Sequence, residues 1–327
     1  MTDQHRPNIT SMKNNLLSLT IIITSLALPV ARAEEGGSGH YAPGAFASFA
    51  DTLPGRPGLS VANWFMYYDG SAGASSKLPI GGQITFGTHA QVYSDLVLAI
   101  YETPLKLLGG NYAAGLGLPY VWMEVDGRAA APLGNTIHMR DTANGLGDLA
   151  VLPFMLGWTN GDLKYSAFLA IYAPSGDYEV GQLANLGKNY WTFEPTVSAS
   201  WISKKIGLEA TAFAALDFST RNDATDYQSG DVVHLEATVA EHLPLGKLGV
   251  IGVGANAFYY QQITGDSGSG ASLGEFDGRT VGVGPVLSFI TKVGGKDLVA
   301  EVKWLPELNV EKRLKGDYVW FKLGMAF

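Results

Sequence analysis

Tyr318-Val319-Trp320-Phe321-Lys322-Leu323-Gly324-Met325-Ala326-Phe327 closes the chain and alternates with a period of two. Val319, Phe321, Leu323, Met325 and Phe327 share one face, and Tyr318, Trp320, Lys322, Gly324 and Ala326 share the other. Successive side chains of a strand point to opposite sides, so the pattern marks a strand between two unlike environments. The same alternation recurs upstream. In residues 232–241, Val233, Leu235, Ala237 and Val239 oppose His234, Glu236 and Thr238. In residues 298–304, Leu298, Ala300, Val302 and Trp304 oppose Glu301 and Lys303. Alternation alone leaves open which face points outward, and composition has to decide.

The 327 residues are 46% hydrophobic and only 16% charged, with no Cys and a net charge of -8. Soluble domains carry about 25% charged residues. The acidic balance speaks against a nucleic-acid partner. A helical membrane protein needs apolar runs of about 18 residues or more. One stretch approaches that length, residues 16–30, and it lies between Lys13 and Ala31-Arg32-Ala33. A basic lead, a short apolar run and an A-x-A site form a secretory signal over residues 1–33. Polytopic helical protein, disordered chain and disulfide-stapled domain are excluded. What remains is an exported, acidic, thiol-free β-protein.

Twelve strands are expected, near 58–69, 88–103, 111–126, 145–158, 163–174, 190–203, 206–219, 230–243, 247–263, 278–291, 297–308 and 316–327. The connections alternate between short turns and long loops, the last long one being 309–315. An even strand count with turns on one side and loops on the other is the pattern of an all-β, antiparallel outer-membrane barrel. Closure pairs every backbone group inside lipid without any long apolar run. Both termini then lie in the periplasm. Gly282, Gly284 and Pro285 interrupt one strand and point to an edge, a bulge or a strand end. Aromatic clusters at Tyr67-Tyr68, Tyr120 with Trp122, Tyr190-Trp191, Tyr259-Tyr260 and Tyr318 with Trp320 suit interfacial girdles. The terminal Phe327, preceded by apolar residues at every second position, resembles the signal read by outer-membrane assembly machinery.

Several blocks in order resemble the bacterial family labelled "putative MetA-pathway of phenol degradation", which is related to barrel-type transporters for hydrophobic compounds. They include Glu35-Gly36-Gly37-Ser38-Gly39-His40-Tyr41-Ala42-Pro43-Gly44, Gly145-Leu146-Gly147-Asp148-Leu149 and Tyr172-Ala173-Pro174-Ser175-Gly176-Asp177-Tyr178. Tyr190-Trp191-Thr192-Phe193-Glu194-Pro195 and Asp226-Tyr227-Gln228-Ser229-Gly230-Asp231 continue the series. The resemblance covers nearly all of the chain after the signal. It implies passage of hydrophobic molecules, not a pathway enzyme.

Motifs of catalysis are missing. There is no phosphate-binding Gly loop, no H-E-x-x-H and no G-x-S-x-G, and without Cys the usual zinc motifs are absent. An outer-membrane lipase is the enzyme alternative, with His234 or His242 beside Ser267 or Ser269, but no spacing ties them together. Asp217, Asp223, Asp226 and Asp231 read as a solvated acidic loop in preference to a calcium site. Asp148 and Asp177 read as local turn caps.

The expected organisation is a signal over 1–33, a Gly/Pro-rich segment over 34–57 and a barrel of about twelve strands over 58–327. The barrel sits in the outer membrane of a Gram-negative bacterium, and its partners are outer-membrane lipid, the assembly machinery and a hydrophobic small-molecule substrate. No cofactor, metal or enzymatic activity is expected, and oligomeric state is left open. The expected function is passive passage of aromatic or lipid-like molecules, against the alternative of a structural or general porin-like barrel. His234, Glu236, Glu301, Lys303, Tyr318, Trp320 and Lys322 are the candidate lumen-facing residues. The segment carrying Tyr41, Phe46 and Phe49 either tucks into the lumen as a constriction or lies in the periplasm.

Overall fold

The computed structural model describes residues 38–130, 135–274 and 278–327. The expected signal over 1–33 and residues 34–37 lie outside them. Twelve strands span the barrel: β1 (Gly58–Ser71), β3 (Gln83–Leu107), β4 (Gly110–Ala130), β6 (Leu149–Asn160), β7 (Leu163–Ala173), β8 (Thr192–Ile202), β9 (Leu208–Ser219), β10 (Val232–Pro244), β11 (Val250–Gln262), β12 (Arg279–Val293), β13 (Lys296–Glu311) and β14 (Lys315–Ala326). Two further strands, β2 (Lys77–Ile80) and β5 (Thr136–Leu146), prolong the wall beyond the barrel on β3 and β4. Every pairing is antiparallel. Neighbouring strands pair from β3 through β1 and β14 round to β6 and β4, and the β3–β4 ladder closes the ring.

Burial follows the pleat in the sense opposite to a soluble protein. In β8 the buried side chains are Thr192, Glu194, Thr196, Ser198 and Ser200, while Phe193, Pro195, Val197, Ala199 and Trp201 face out. In β10, His234, Glu236 and Thr238 are buried while Leu235 and Val239 are 44% and 55% exposed. A polar interior behind an apolar outer surface places the chain across the outer membrane as a closed barrel. Short turns mark its periplasmic end. There Gly294 and Gly295, at φ 57 and 78, join β12 to β13 in a two-residue hairpin that needs left-handed backbone at both positions.

Four features depart from the sequence reading. Strand β6 begins only at Leu149, because residues up to Leu146 belong to the separate strand β5. The expected long connection over 309–315 is short, since β13 runs outward to Glu311 on its ladder with β12 and β14 starts at Lys315 on its ladder with β1. Asp217, expected in an acidic loop, is an inward side chain of β9, and Asp226 of that loop pairs with Arg221 at 2.7 Å. Of the clustered aromatics, Tyr68, Tyr190, Tyr260, Tyr318 and Trp320 are buried and form no girdle. Lipid-facing aromatics include Tyr93, Tyr120, Trp122, Trp191, Trp201 and Trp304. The interruption in β12 is a lapse in its ladder with β13 between Gly282↔Glu307 and Val286↔Lys303. Neither Pro285 nor Pro306 has an N–H to give, and a Cβ on Gly284 would clash with the Trp304 carbonyl oxygen.

Candidate functional site: the barrel lumen

Residues 38–57 have a composition of small residues, Pro and Gly that supports neither helix nor strand, and their backbone polar groups must find partners elsewhere. They find them on the inner wall. The segment starts at the extracellular end, where His40 Nδ1 is 2.8 Å from Thr192 Oγ1 and Nε2 is 2.9 Å from Asp148 Oδ2. It descends through the lumen. At the bottom, Gly55 N–H donates to Glu102 Oε2 (3.0 Å) and Arg56 pairs with Asp297 at 3.0 Å. The first described residues therefore sit at the opposite end of the barrel from Phe327. The barrel's own two ends meet at the periplasmic end as expected, where Phe327 N–H donates to the Leu59 carbonyl (2.8 Å), and only the segment before Gly58 runs to the other end.

Most grips on the segment come from one side, β8 to β14. Glu236 Oε1 accepts from Tyr41 Oη (2.8 Å) and Gly44 N–H (2.5 Å). Lys303 Nζ donates to the Gly44 carbonyl (2.8 Å) and pairs with Glu301 at 3.0 Å. Trp320 Nε1 donates to the Pro43 carbonyl (2.7 Å), and Ser48 Oγ donates to Glu301 Oε2 (2.5 Å). Lys322 donates to the Ala45 carbonyl and to Asp51 Oδ1 at 2.7 Å. Asp51 also caps the short 3-10 turn Phe49–Asp51 by accepting from Ala47 and Ser48 N–H. One carboxylate thus shapes the segment and ties it to β14. Bonds to charged groups contribute roughly 1.5–3 kcal/mol each, and several acting together hold a stretch with little structure of its own.

The opposite side is apolar. Trp64, Met66 and Tyr68 of β1, Leu96 and Leu98 of β3, Val121, Met123 and Val125 of β4 and Leu152 of β6 look inward across a cavity of about 350 Å³. Tyr41, Phe46, Tyr318 and Trp320 bound it from the segment and from β14. Phe46 packs against Trp64 (5.1 Å between ring centroids) and Phe168 (5.2 Å). Phe49 lies lower, edge-on to His242, and does not line the cavity. Residues 174–191 reach over the top: Leu183 and Leu186 line the cavity, and Asp141 Oδ2 accepts from the N–H groups of Leu183 and Ala184 (both 3.1 Å).

All seven candidate residues on the strands are buried on the inner face, and the structure brings Glu236, Glu301, Lys303, Trp320 and Lys322 together around the segment. Tyr318 packs on Tyr68 at 4.4 Å, and His234 stacks on Tyr41 at 3.7 Å. Sequence reasoning missed His40, Glu102, Glu194 and Glu209. It also misjudged Asp148, whose carboxylate accepts from Gly176 N–H (2.9 Å) and Lys188 N–H (2.7 Å) and is no local cap. Burial pushes the Asp148 carboxyl up, but the bonds from His40, Gly176 and Lys188 outweigh it and hold it below the usual carboxylate range. Glu194 was open to discovery, since it alternates with the outward Phe193 and Pro195. The lipase alternative gains no geometry: His234 and His242 contact carboxylates, and Ser269 Oγ donates to Asp226.

Among solved structures, the COG4313 outer membrane channel from Pseudomonas putida F1 is similar over 88% of this chain and all of that one, with 14% identity and a TM-score of 0.59. That likeness extends to the fold. A FadL homologue from Pseudomonas aeruginosa matches over 92% of this chain and 98% of its own, at 9% identity and a TM-score of 0.45. No curated protein matches the sequence. The sequence profile of the family "Putative MetA-pathway of phenol degradation" matches residues 74–323, and the chain belongs to that family.

Proposed function

We propose that the barrel is an outer-membrane channel for passive passage of hydrophobic small molecules, aromatic or lipid-like, and that residues 34–57 constrict it. The observation that carries this reading is the cavity of about 350 Å³ walled by β1, β3, β4 and β6. An outer-membrane barrel that serves only as a wall has no use for an apolar recess inside a polar lumen. The volume falls within the roughly 300–1,000 Å³ of small-molecule sites. His234, Glu236, Glu301, Lys303 and Lys322 line the path by holding the segment, while Tyr41, Phe46, Tyr318 and Trp320 give a solute apolar surface. Phe49 constricts the lower lumen. The C-terminal strand is the contact for the assembly machinery.

Uptake of a panel of radiolabelled aromatics and lipids, by cells with and without the protein, tests the reading. Faster uptake of at least one class in producing cells is the expected result. Equal uptake across the whole panel would overturn it and favour a closed structural barrel, which the many grips on the segment would also suit.

A further inference from the structure

Three inner-wall side chains make a cluster of their own near the extracellular end, besides the stacking of Tyr41 on His234 and the place of Glu194 on the cavity wall. Glu194 of β8, Asp217 of β9 and His234 of β10 are all buried, and one donor atom from each lies within 4.8 Å of the others. His234 Nε2 is 3.3 Å from Asp217 Oδ1 and 3.6 Å from Glu194 Oε2. They come from three adjacent strands whose ladders fix their spacing: His234 pairs with Ala215, two residues before Asp217 on the same face. Ligands carried on strands are held more firmly than ligands on loops.

The donor set is mixed. One imidazole nitrogen and two carboxylate oxygens suit Zn²⁺ and similar first-row divalent ions. Bonds of about 2.0–2.2 Å in tetrahedral geometry place ligand atoms about 3.3 Å apart. Both contacts of His234 are already near that spacing. Charge argues the same way. Two carboxylates beside a neutral imidazole carry two negative charges, which a divalent ion cancels and a histidinium only halves. Buried charge without compensation is costly. Glu194 forms no ion pair with Lys or Arg among the described residues, and its other partners are the hydroxyls of Tyr172 (3.2 Å) and Thr196 (3.2 Å). Those hydroxyls orient the carboxylate as outer partners of metal ligands do. Tyr41 stacks on the face of the His234 ring and leaves Nε2 directed at the carboxylates. Glu194 also lines the cavity, so a water on that side would complete a tetrahedral site as the fourth ligand.

We infer that Glu194, Asp217 and His234 form a binding site for one divalent transition-metal ion of the Zn²⁺ class, at the extracellular end of the lumen wall. The site is independent of what the barrel passes. Purified full-length protein in detergent, stripped with chelator, is titrated with ZnCl₂ by calorimetry and with CoCl₂ by visible absorption. One ion per chain is expected, with a Co²⁺ ligand-field band that Zn²⁺ displaces. Asp217→Asn and Glu194→Gln should weaken binding at least about 10–100-fold, the loss seen when even outer partners of a metal are removed. His234→Lys keeps a cation between the carboxylates and removes the imidazole, so it should fold yet lose the band. His242→Gln, which removes the other imidazole held by a buried carboxylate, should bind like wild type. Heat-modifiable migration verifies that each variant is a folded barrel. Absence of stoichiometric binding in wild type, or unchanged affinity in folded His234→Lys and Asp217→Asn, overturns the site.

Discussion

The lumen has two unlike walls. From β8 to β14 it is polar and bonded: Glu209, Glu236, Glu301, Lys303 and Lys322 are all buried, and each holds some part of residues 38–57. From β1 to β7, leaving out the extensions β2 and β5, it is mostly apolar and faces the cavity. Both are built from the same alternating strands with the same lipid-facing exterior, so the period that makes a strand span the membrane does not decide what its inner positions do. Inner-face chemistry divides the work. Hydrogen bonds are directional and fix the segment in one place, whereas apolar contact is non-directional and lets a solute lie in many orientations. A barrel lined all round like the first wall would be filled by its own chain, and one lined like the second would hold that chain only near its lower end, through Glu102 on Gly55 and Lys164 on Leu53 and Pro54.

The strongest way to break the comparison is to remove what the bonded wall binds. Deleting residues 38–57 leaves the buried carboxylates and lysines of that wall facing water, an environment porin interiors tolerate. The barrel should still assemble and its single-channel conductance should rise several-fold, with poorer discrimination among hydrophobic solutes. Silence in planar bilayers before and after the deletion would refute a pore filled by this segment.

Single substitutions come next. Lys303→Met removes the cation paired with Glu301, leaving Lys322 as the remaining buried cation beside Glu301 and Glu236, and leaves the Gly44 carbonyl without its donor. Breaking a buried pair from one side costs about 3–5 kcal/mol, so the urea midpoint of the folded barrel should fall and conductance should become noisy. Val121→Asp on the apolar wall should do the reverse. It adds a carboxylate to the cavity without touching the segment, and a polar group there costs a hydrophobic solute about 1–3 kcal/mol. Uptake should drop by roughly tenfold, since 1.4 kcal/mol is a factor of ten, while the midpoint stays close to wild type. If Val121→Asp and Lys303→Met change the same observable by the same amount, the two walls do not differ in function.

The strands were legible because lipid on one side and a packed lumen on the other force a strict two-residue period. The inward positions of Glu236, Glu301, Lys303 and Lys322 followed from that period once composition and the export signal had turned the apolar face to lipid. The destination of residues 38–57 did not, because a Gly/Pro-rich stretch has no period and its partners are up to 277 positions away, as for Pro43 with Trp320. Asp148 looked like a turn residue for the same reason: its bonds reach His40 and Lys188, 108 and 40 positions along the chain. Girdle aromatics were only half legible. An aromatic near a strand end suits lipid headgroups and lumen packing equally, and only its parity along the strand separates Trp304, which faces lipid, from Trp320, which faces the segment.

Trp320 supports the smallest and most discriminating test, because it belongs to both walls. Its indole N–H donates to the Pro43 carbonyl, and its ring lines the cavity. Trp320→Phe keeps an aromatic ring while removing the donor, so the Pro43 carbonyl loses one neutral bond of about 1 kcal/mol. The segment should stay in place, with a slight rise in brief conductance openings and no measurable change in uptake of hydrophobic solutes. Trp320→Ala removes ring and donor together and opens space beside Gly44, against which the indole packs. That variant should raise both openings and uptake. Recording the two side by side separates the bond from the surface: equal effects from Phe and Ala would mean that the hydrogen bond alone positions the segment, and that the ring contributes nothing to the path.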